Sequence, residues 1–251
     1  MEKAVLIITG HGHVPEHYSR VTSLLQKKGI RTICECLPTI NHPLPPFKTI
    51  YDDIRFIKDI VSNEVGKGTR LTVLCHSYGG MIASAALGEF AFTTDAADKG
   101  GVTSIVFMTA FIASENGSVA GLLGDETELP SALGRRPDGS CWVPDPVYFF
   151  YNDLSGEDAE WAAGLYVSGC PASSLLDRIP GERVAWRSIP STYIVCEADC
   201  AIPLQLQRGM LASARDQGVK FDEYSIQSGH SPFINKPAEI AEIVINAMQR
   251  H

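Results

Sequence analysis

Residues 71 to 80 read LTVLCHSYGG and lead into MIASAALGEF, residues 81 to 90. The run from Leu71 to Cys75 is mostly apolar, which predicts a strand buried on both faces, and the Ala-rich segment predicts a helix. A serine on a sharp turn between a buried strand and a helix has its hydroxyl pushed out of the sheet, as a nucleophile requires. Ser77 occupies this turn, and the start of the helix directs free backbone N–H groups towards it.

The turn departs from its usual pattern at one position. A glycine normally stands two residues before the serine, and this chain has Cys75 there, which is small enough for the turn. The alternative interpretation is an ordinary turn in which Ser77 lies near the N-cap of the helix. The position between a buried strand and a helix favours the nucleophile.

Further apolar runs alternate with helical patterns along the chain. Strands are predicted at 4–9, 30–36, 71–75, 103–108, 193–196 and 220–225, and helices at 16–28, 48–65, 81–90, 203–217 and after 235. Strands that alternate with helices form βαβ units, whose strands are parallel. The sequence therefore predicts an α/β fold with a mainly parallel sheet of about six strands and helices on both faces.

The alternation is interrupted between residues 114 and 190. This stretch shows no convincing buried strand and contains many large aromatic residues. We interpret it as a helical cap, 114–190, inserted between the core segments 1–113 and 191–251. Trp142, Tyr148 and Trp161, together with His13, are predicted to line a substrate pocket, and packing alone is an equally good explanation of such residues.

A nucleophilic serine needs a general base, and the order along the chain selects His230. In a fold of this type the serine comes first, the acid second and the histidine last. The other histidines precede or adjoin Ser77, or end the chain. His230 follows the last predicted strand in a loop; a surface histidine is the alternative interpretation.

The acid is expected after the preceding strand. The segment 193–199, YIVCEAD, offers Glu197 and Asp199 there. Asp199 is preferred because it lies further past the strand end, where its side chain can turn across to the imidazole, and Glu197 is the alternative. Such an acid holds the imidazole in the tautomer whose free nitrogen accepts the serine proton.

Two backbone N–H groups are needed to stabilise an oxyanion beside the serine. The amide of Tyr78 directly follows the nucleophile, and the glycines of the loop Gly10-His11-Gly12-His13 allow close backbone approach. We assign the second donor to the amide of His11. These glycines do not indicate a dinucleotide site, because Pro15 stands where that motif requires its third glycine.

Composition narrows the classes of partner. The chain of 251 residues has a formal net charge of −8, and no cluster of Lys and Arg is present to bind nucleic acid or an anionic membrane.

Its seven cysteines form no CxxC pair, so no metal site is predicted and free thiols in a reducing compartment are expected. The apolar run at the N-terminus is too short for a signal peptide or a spanning helix, which favours a cytoplasmic protein. A homodimer is an open alternative to a monomer.

Several segments resemble the α/β-hydrolase superfamily, in particular its branch of small plant and microbial carboxylesterases and methylesterases, which also contains hydroxynitrile lyases. They are residues 9–13, 15–18, 75–80, 193–203 and 228–233, and residues 149–154 and 185–190 look like the microbial members. The resemblance covers nearly the whole chain. It implies the α/β-hydrolase fold, a triad of Ser77, His230 and Asp199 without a cofactor, and a helical cap that forms an apolar pocket.

Two positions bear on the reaction. Hydroxynitrile lyases of this branch use a threonine after the first strand and a lysine after the catalytic histidine, whereas Gly10 and Ser231 stand there in this chain. Without the lysine no cation is present to stabilise departing cyanide, so the resemblance implies hydrolysis of an ester or lactone through an acyl-enzyme. The aromatic residues of the cap indicate a small to mid-sized apolar substrate. A biosynthetic cyclase or acyltransferase on the same triad, lyase chemistry and a hydrolase-like ligand-binding protein stay open as alternatives.

Overall fold

The computed structural model describes residues 2–41, 45, 47–94, 100–130 and 133–250. The strands in these ranges are β1 (Lys3–Ile8), β2 (Arg31–Cys34), β3 (Arg70–His76), β4 (Gly101–Met108), β5 (Gly134–Arg135), β6 (Ser140–Trp142), β7 (Cys170–Pro171), β8 (Ser191–Cys196) and β9 (Asp222–Ile226). The α-helices are α1 (Ser19–Lys27), α2 (Pro38–Asn41), α3 (Ile50–Gly66), α4 (Gly79–Ala86), α5 (Val119–Leu122), α6 (Pro146–Phe150), α7 (Gly156–Leu165), α8 (Ser173–Leu176), α9 (Leu204–Asp216), α10 (Pro232–Asn235) and α11 (Pro237–Arg250).

Six strands form one parallel sheet in the order β2-β1-β3-β4-β8-β9. Ile8 of β1 lies beside Cys75 of β3, and Cys75 lies beside Phe107 of β4. The carboxyl ends of the central strands therefore meet at one edge, where the loop after β1 and the turn that carries Ser77 begin. The predicted α/β architecture with a parallel sheet of about six strands is confirmed.

Helices cover both faces of the sheet. Side chains alternate between the two faces along each strand, so each face presents apolar side chains that the helices bury. On β1, Leu6 and Ile8 belong to the core shared with α3, α4 and α9, whereas Val5 and Ile7 belong to the core shared with α1 and α11. All four side chains are buried. None of the helices in the described ranges is long and apolar enough to cross a membrane.

The connection between β4 and β8 differs in part from the predicted helical cap. It contains the short helices α5 to α8, and it also forms a separate antiparallel sheet in the order β5-β6-β7. Strands this short do not show the period that predicts a strand. The two ends of the connection are tied together: the indole N–H of Trp186 donates to the carbonyl of Ala113 (2.7 Å), and Arg187 forms a two-pronged ion pair with Glu115.

A buried carboxyl group joins three helices on one face of the sheet. Asp53 of α3 accepts hydrogen bonds from the backbone N–H (3.0 Å) and the hydroxyl (2.7 Å) of Thr39 in α2. It also accepts one from the hydroxyl of Tyr78 (2.9 Å) at the start of α4. Burial raises the pKa of Asp53 to about 6, and the bonds from Thr39 and Tyr78 oppose this rise. These contacts anchor the residue that follows Ser77.

The start of α4 packs so closely against neighbouring backbone that a side chain does not fit. A Cβ atom on Gly79 would lie 2.5 Å from the carbonyl oxygen of Ile8 and 2.8 Å from that of Thr9. Carbonyl oxygens of a buried sheet cannot rotate away, so either the helix or the sheet would have to shift. The glycine therefore sets how near the helix comes to the end of β1.

Replacing Gly79 with alanine should destabilise the fold by about 1–3 kcal/mol, because the added methyl group overlaps two carbonyl oxygens. Gly209 in α9 is a matched control, since an added Cβ there meets no atom within 4 Å. Gly209→Ala should leave stability unchanged or raise it by up to about 1 kcal/mol. Urea unfolding measures both effects, and equal changes in the two variants would contradict the packing argument.

Asp53 should make the fold less stable as the pH rises through the interval between its two pKa values. The pKa of Asp53 is about 6 in the fold against an ordinary value of 3.8, so in this interval the folded state binds more protons than the unfolded state. Asp53 therefore adds roughly 1–3 kcal/mol to the free energy of unfolding below about pH 4, and this contribution is lost above about pH 6. Urea unfolding between these pH values should show this decline for the unsubstituted chain and a weaker one for Asp53→Asn; parallel curves would exclude Asp53 as its source.

Candidate active site

Ser77 lies at the turn between β3 and α4 in a strained backbone conformation. Its φ angle is +52°, in the left-handed region that residues other than glycine seldom adopt. The Ser77 carbonyl accepts hydrogen bonds from the backbone N–H groups of Gly80 (3.0 Å) and Phe111 (3.1 Å), which hold the turn. The residue is largely buried, and it borders a cavity.

His230 follows β9 and is completely buried. Its Nδ1 atom lies 2.8 Å from Oδ2 of Asp199. Its Nε2 atom is buried too, and among the described residues it has no hydrogen-bond partner, the Ser77 hydroxyl included. The structure thus brings His230 and Asp199 together and leaves the second imidazole nitrogen free.

Asp199 is held by several donors besides the imidazole. Its Oδ1 atom accepts hydrogen bonds from the backbone N–H groups of Ala201 (2.7 Å) and Ile202 (2.9 Å). Its Oδ2 atom accepts one from the hydroxyl of Thr109. Glu197, the other carboxylate after β8, is bound instead by the side-chain amide of Gln227. Of these two acids, Asp199 is the one that contacts His230.

His11 and Tyr78 both line the cavity. The Gly10 carbonyl accepts a hydrogen bond from the His13 N–H (3.0 Å), so the His11 N–H, on the opposite side of the same planar peptide, points away from that turn. The Tyr78 N–H likewise points away from the donors that bind the Ser77 carbonyl. Within the described ranges neither amide donates to another protein atom.

A buried network that the sequence analysis did not identify lies next to these groups. The Tyr18 hydroxyl accepts a hydrogen bond from the Gly10 N–H (3.0 Å) and donates to Nδ1 of His76 (2.9 Å). Nε2 of His76 donates to the His230 carbonyl (3.0 Å). Burial, followed by the nearby His230, lowers the pKa of His76 well below its usual range, so the ring is neutral. The residues of this hydrogen-bond network are too far apart along the chain for a sequence pattern to reveal it.

The four side chains predicted to line the substrate pocket lie elsewhere, and that prediction is corrected. His13 is buried within a cluster of aromatic rings. Trp142 packs against an arginine guanidinium group. Tyr148 is 55% exposed and Trp161 is 38% exposed. None of them belongs to the wall of the cavity at Ser77.

The cavity at Ser77 has a volume of about 290 Å³. Apart from His11, Ser77 and Tyr78, its walls consist of apolar side chains, among them Phe111, Val143, Phe149, Phe150 and Ile202. Phe150 also packs against the imidazole of His230, with the ring centroids 5.3 Å apart. In the described part of the chain no three His, Cys, Asp or Glu side chains are grouped so that they could hold a metal ion.

Comparisons with known proteins bear on this architecture. The model of the alpha/beta hydrolase family matches residues 5–243. The chain is 28% identical to the alpha/beta hydrolase nvfD of Aspergillus novofumigatus, over 98% of this chain and 97% of that protein. It is 25% identical to methylesterase 7 of Arabidopsis thaliana, over 83% of this chain and 80% of that protein.

A solved structure has the same fold. The pyrethroid hydrolase from Sphingobium faniae superposes with a TM-score of 0.73 at 18% identity, covering 98% of this chain and 96% of that one. The family model extends from β1 into α11, across every strand of the parallel sheet and the loops that carry Ser77, Asp199 and His230. The chain therefore belongs to the alpha/beta hydrolase family.

Proposed function

We propose that the chain is a serine hydrolase that cleaves a carboxylic ester or lactone, with Ser77 as nucleophile, His230 as general base and Asp199 as the acid that orients it. The main supporting observation is the buried His230–Asp199 pair, in which Nε2 of His230 has no hydrogen-bond partner among the described residues. Ser77 borders the cavity in a strained backbone conformation. The similarity to a plant methylesterase supports an ester as the substrate.

The reaction has two steps. Ser77 Oγ attacks the carbonyl carbon while Nε2 of His230 takes the hydroxyl proton, and the Asp199 carboxylate stabilises the imidazolium. As the C–O bond breaks, the proton passes to the leaving oxygen, which departs as an alcohol from an ester or becomes a hydroxyl group of the acyl chain when a lactone ring opens. Water then attacks the acyl-enzyme with His230 as base, releasing the acid and restoring Ser77. The bond between nucleophile and base is often open in a ligand-free site and forms when substrate binds.

The N–H groups of Tyr78 and His11 are proposed to hold the oxyanion of the tetrahedral intermediate. Both residues border the cavity with Ser77, and both amides are free of protein acceptors within the described residues. Burial lowers the pKa of His11 to about 4, so its ring is neutral at neutral pH. Stabilisation therefore comes from preorganised backbone dipoles rather than from a histidine charge.

The cavity supports a neutral, apolar substrate of small to medium size. Its volume of about 290 Å³ is at the lower end of ordinary ligand pockets, roughly 300–1,000 Å³. A charged substrate group against walls such as Phe111 and Phe149 would lose its hydration without gaining a partner. The hydrophobic part of the ester is therefore expected in this cavity, with its carbonyl at Ser77.

Ser77→Ala should abolish labelling by a fluorophosphonate probe and lower turnover of short apolar esters by about 10⁴-fold or more, because it removes the hydroxyl proposed as the nucleophile. The control is Ser213→Ala, which removes an exposed serine of α9. This variant should react with the probe and should hydrolyse the esters at the rate of the unsubstituted chain. Full esterase activity in Ser77→Ala would refute the proposed function.

Asp199→Asn should lower kcat/KM by about 10⁴-fold, because an amide favours the wrong imidazole tautomer. Glu197→Gln should change it by less than about threefold, since Glu197 does not contact His230. Steady-state kinetics on one ester measures both. A larger loss in Glu197→Gln than in Asp199→Asn would transfer the role of the acid to Glu197.

A further inference from the structure

Two consecutive residues of the β4–β8 connection bind both loops of the proposed acid and base. After α6, Oδ2 of Asp153 accepts hydrogen bonds from the Gly229 N–H (2.7 Å), the Ser228 hydroxyl (2.8 Å) and the side-chain amide of Asn235 (2.8 Å). All three donors belong to the segment that surrounds His230. One carboxylate oxygen therefore holds that segment at three points.

The preceding residue reaches the other loop. The side-chain amide of Asn152 donates to the carbonyl of Ala198 (3.0 Å), directly before Asp199. The two loops are also joined to each other, since the Ala198 N–H donates to the Ser228 carbonyl (3.0 Å). Asn152 and Asp153 thus contact residues adjacent to both members of the His230–Asp199 pair.

The close approach depends on Gly229. A Cβ atom at this position would lie 2.6 Å from Oδ1 of Asp153. That oxygen is buried and has no hydrogen-bond partner among the described residues. A carboxylate buried in this way gives up hydration at one oxygen, so the arrangement is not a generic surface contact.

We propose that Asn152 and Asp153 are positioning residues, a clamp that fixes the loop of His230 relative to the loop of Asp199. The inference rests on the proposed function. A displacement of about 1 Å between reacting groups can lower a rate by about 100-fold, so a clamp on both loops acts on the chemical step. The same stretch supplies Phe149 and Phe150 to the cavity wall, which ties the wall to the two loops.

Two substitutions at Asp153 separate hydrogen bonding from mere volume. Asp153→Leu removes the acceptor and leaves the Gly229 N–H unpaired, and kcat should fall by about 100-fold with KM changed by less than about threefold. Asp153→Asn can keep its oxygen at the position of Oδ2, with its NH₂ group at the oxygen that has no partner. It should restore kcat to within about threefold of the unsubstituted chain.

Asn152→Ala provides a second test, because Asn152 is exposed and its loss should not prevent folding. Its kcat should fall by about tenfold, and its effect should not add to that of Asp153→Leu if both residues act as one clamp. Tyr51→Phe is the matched control. It removes a hydrogen bond from α3 to the carbonyl of Arg178 in the same connection, away from both loops, and should leave kcat unchanged.

The readouts are kcat, KM, the rate of fluorophosphonate labelling and the thermal midpoint of each variant. Slower labelling and turnover in Asp153→Leu and Asn152→Ala at unchanged KM, with rescue by Asp153→Asn, support the clamp. Unchanged kcat in Asn152→Ala and in folded Asp153→Leu overturns the clamp and leaves the proposed function intact. If Asp153→Leu does not fold, the kcat of Asn152→Ala alone decides. Failure of the unsubstituted chain to label and turn over overturns the proposed function, and the clamp with it.

Discussion

The left-handed backbone of Ser77 is the constraint on which the arrangement of the site depends. A residue with a side chain at φ +52° costs about 1–3 kcal/mol and persists only where its surroundings determine it. Here the N–H groups of Gly80 and Phe111 bind the Ser77 carbonyl, and Gly79 lets α4 approach the end of β1. Because the peptide is planar, the same turn also directs the Tyr78 amide. One local strain therefore orients both the hydroxyl and a neighbouring donor.

Burial keeps the imidazoles around this turn neutral. It lowers the pKa of His11 to about 4 and the pKa values of His13 and His76 well below their usual range. A neutral imidazole has one donor and one acceptor nitrogen, so His76 can donate to the His230 carbonyl and accept from Tyr18. His76 therefore links Tyr18 to the backbone at His230 without adding a charge beside the pair.

The sequence predicted the features that follow from local pattern and chain order. The predicted strands coincide with all six strands of the parallel sheet. The four inner strands, β1, β3, β4 and β8, are buried along nearly their whole length and therefore read as apolar runs, whereas the edge strands β2 and β9 are only partly buried. The cavity wall was not predictable in this way. Tyr148 is exposed while Phe149 and Phe150, the next residues, line the cavity, and the difference depends on how α6 packs. The contacts of Asp53 and Asp153 join distant parts of the chain, so no local pattern predicts them either.

Two networks from different parts of the chain fix the segment around His230. Tyr18 and His76 reach its carbonyl from the core, and Asp153 binds the preceding N–H from the β4–β8 connection. With the backbone held in this way, the imidazole can turn only about its own side-chain bonds, and the bond from Nδ1 to Asp199 removes that freedom. The position of Nε2 is therefore determined before any substrate enters. An imidazole held in this way does not have to reorganise on taking a proton, which is what the proposed role of His230 as general base requires.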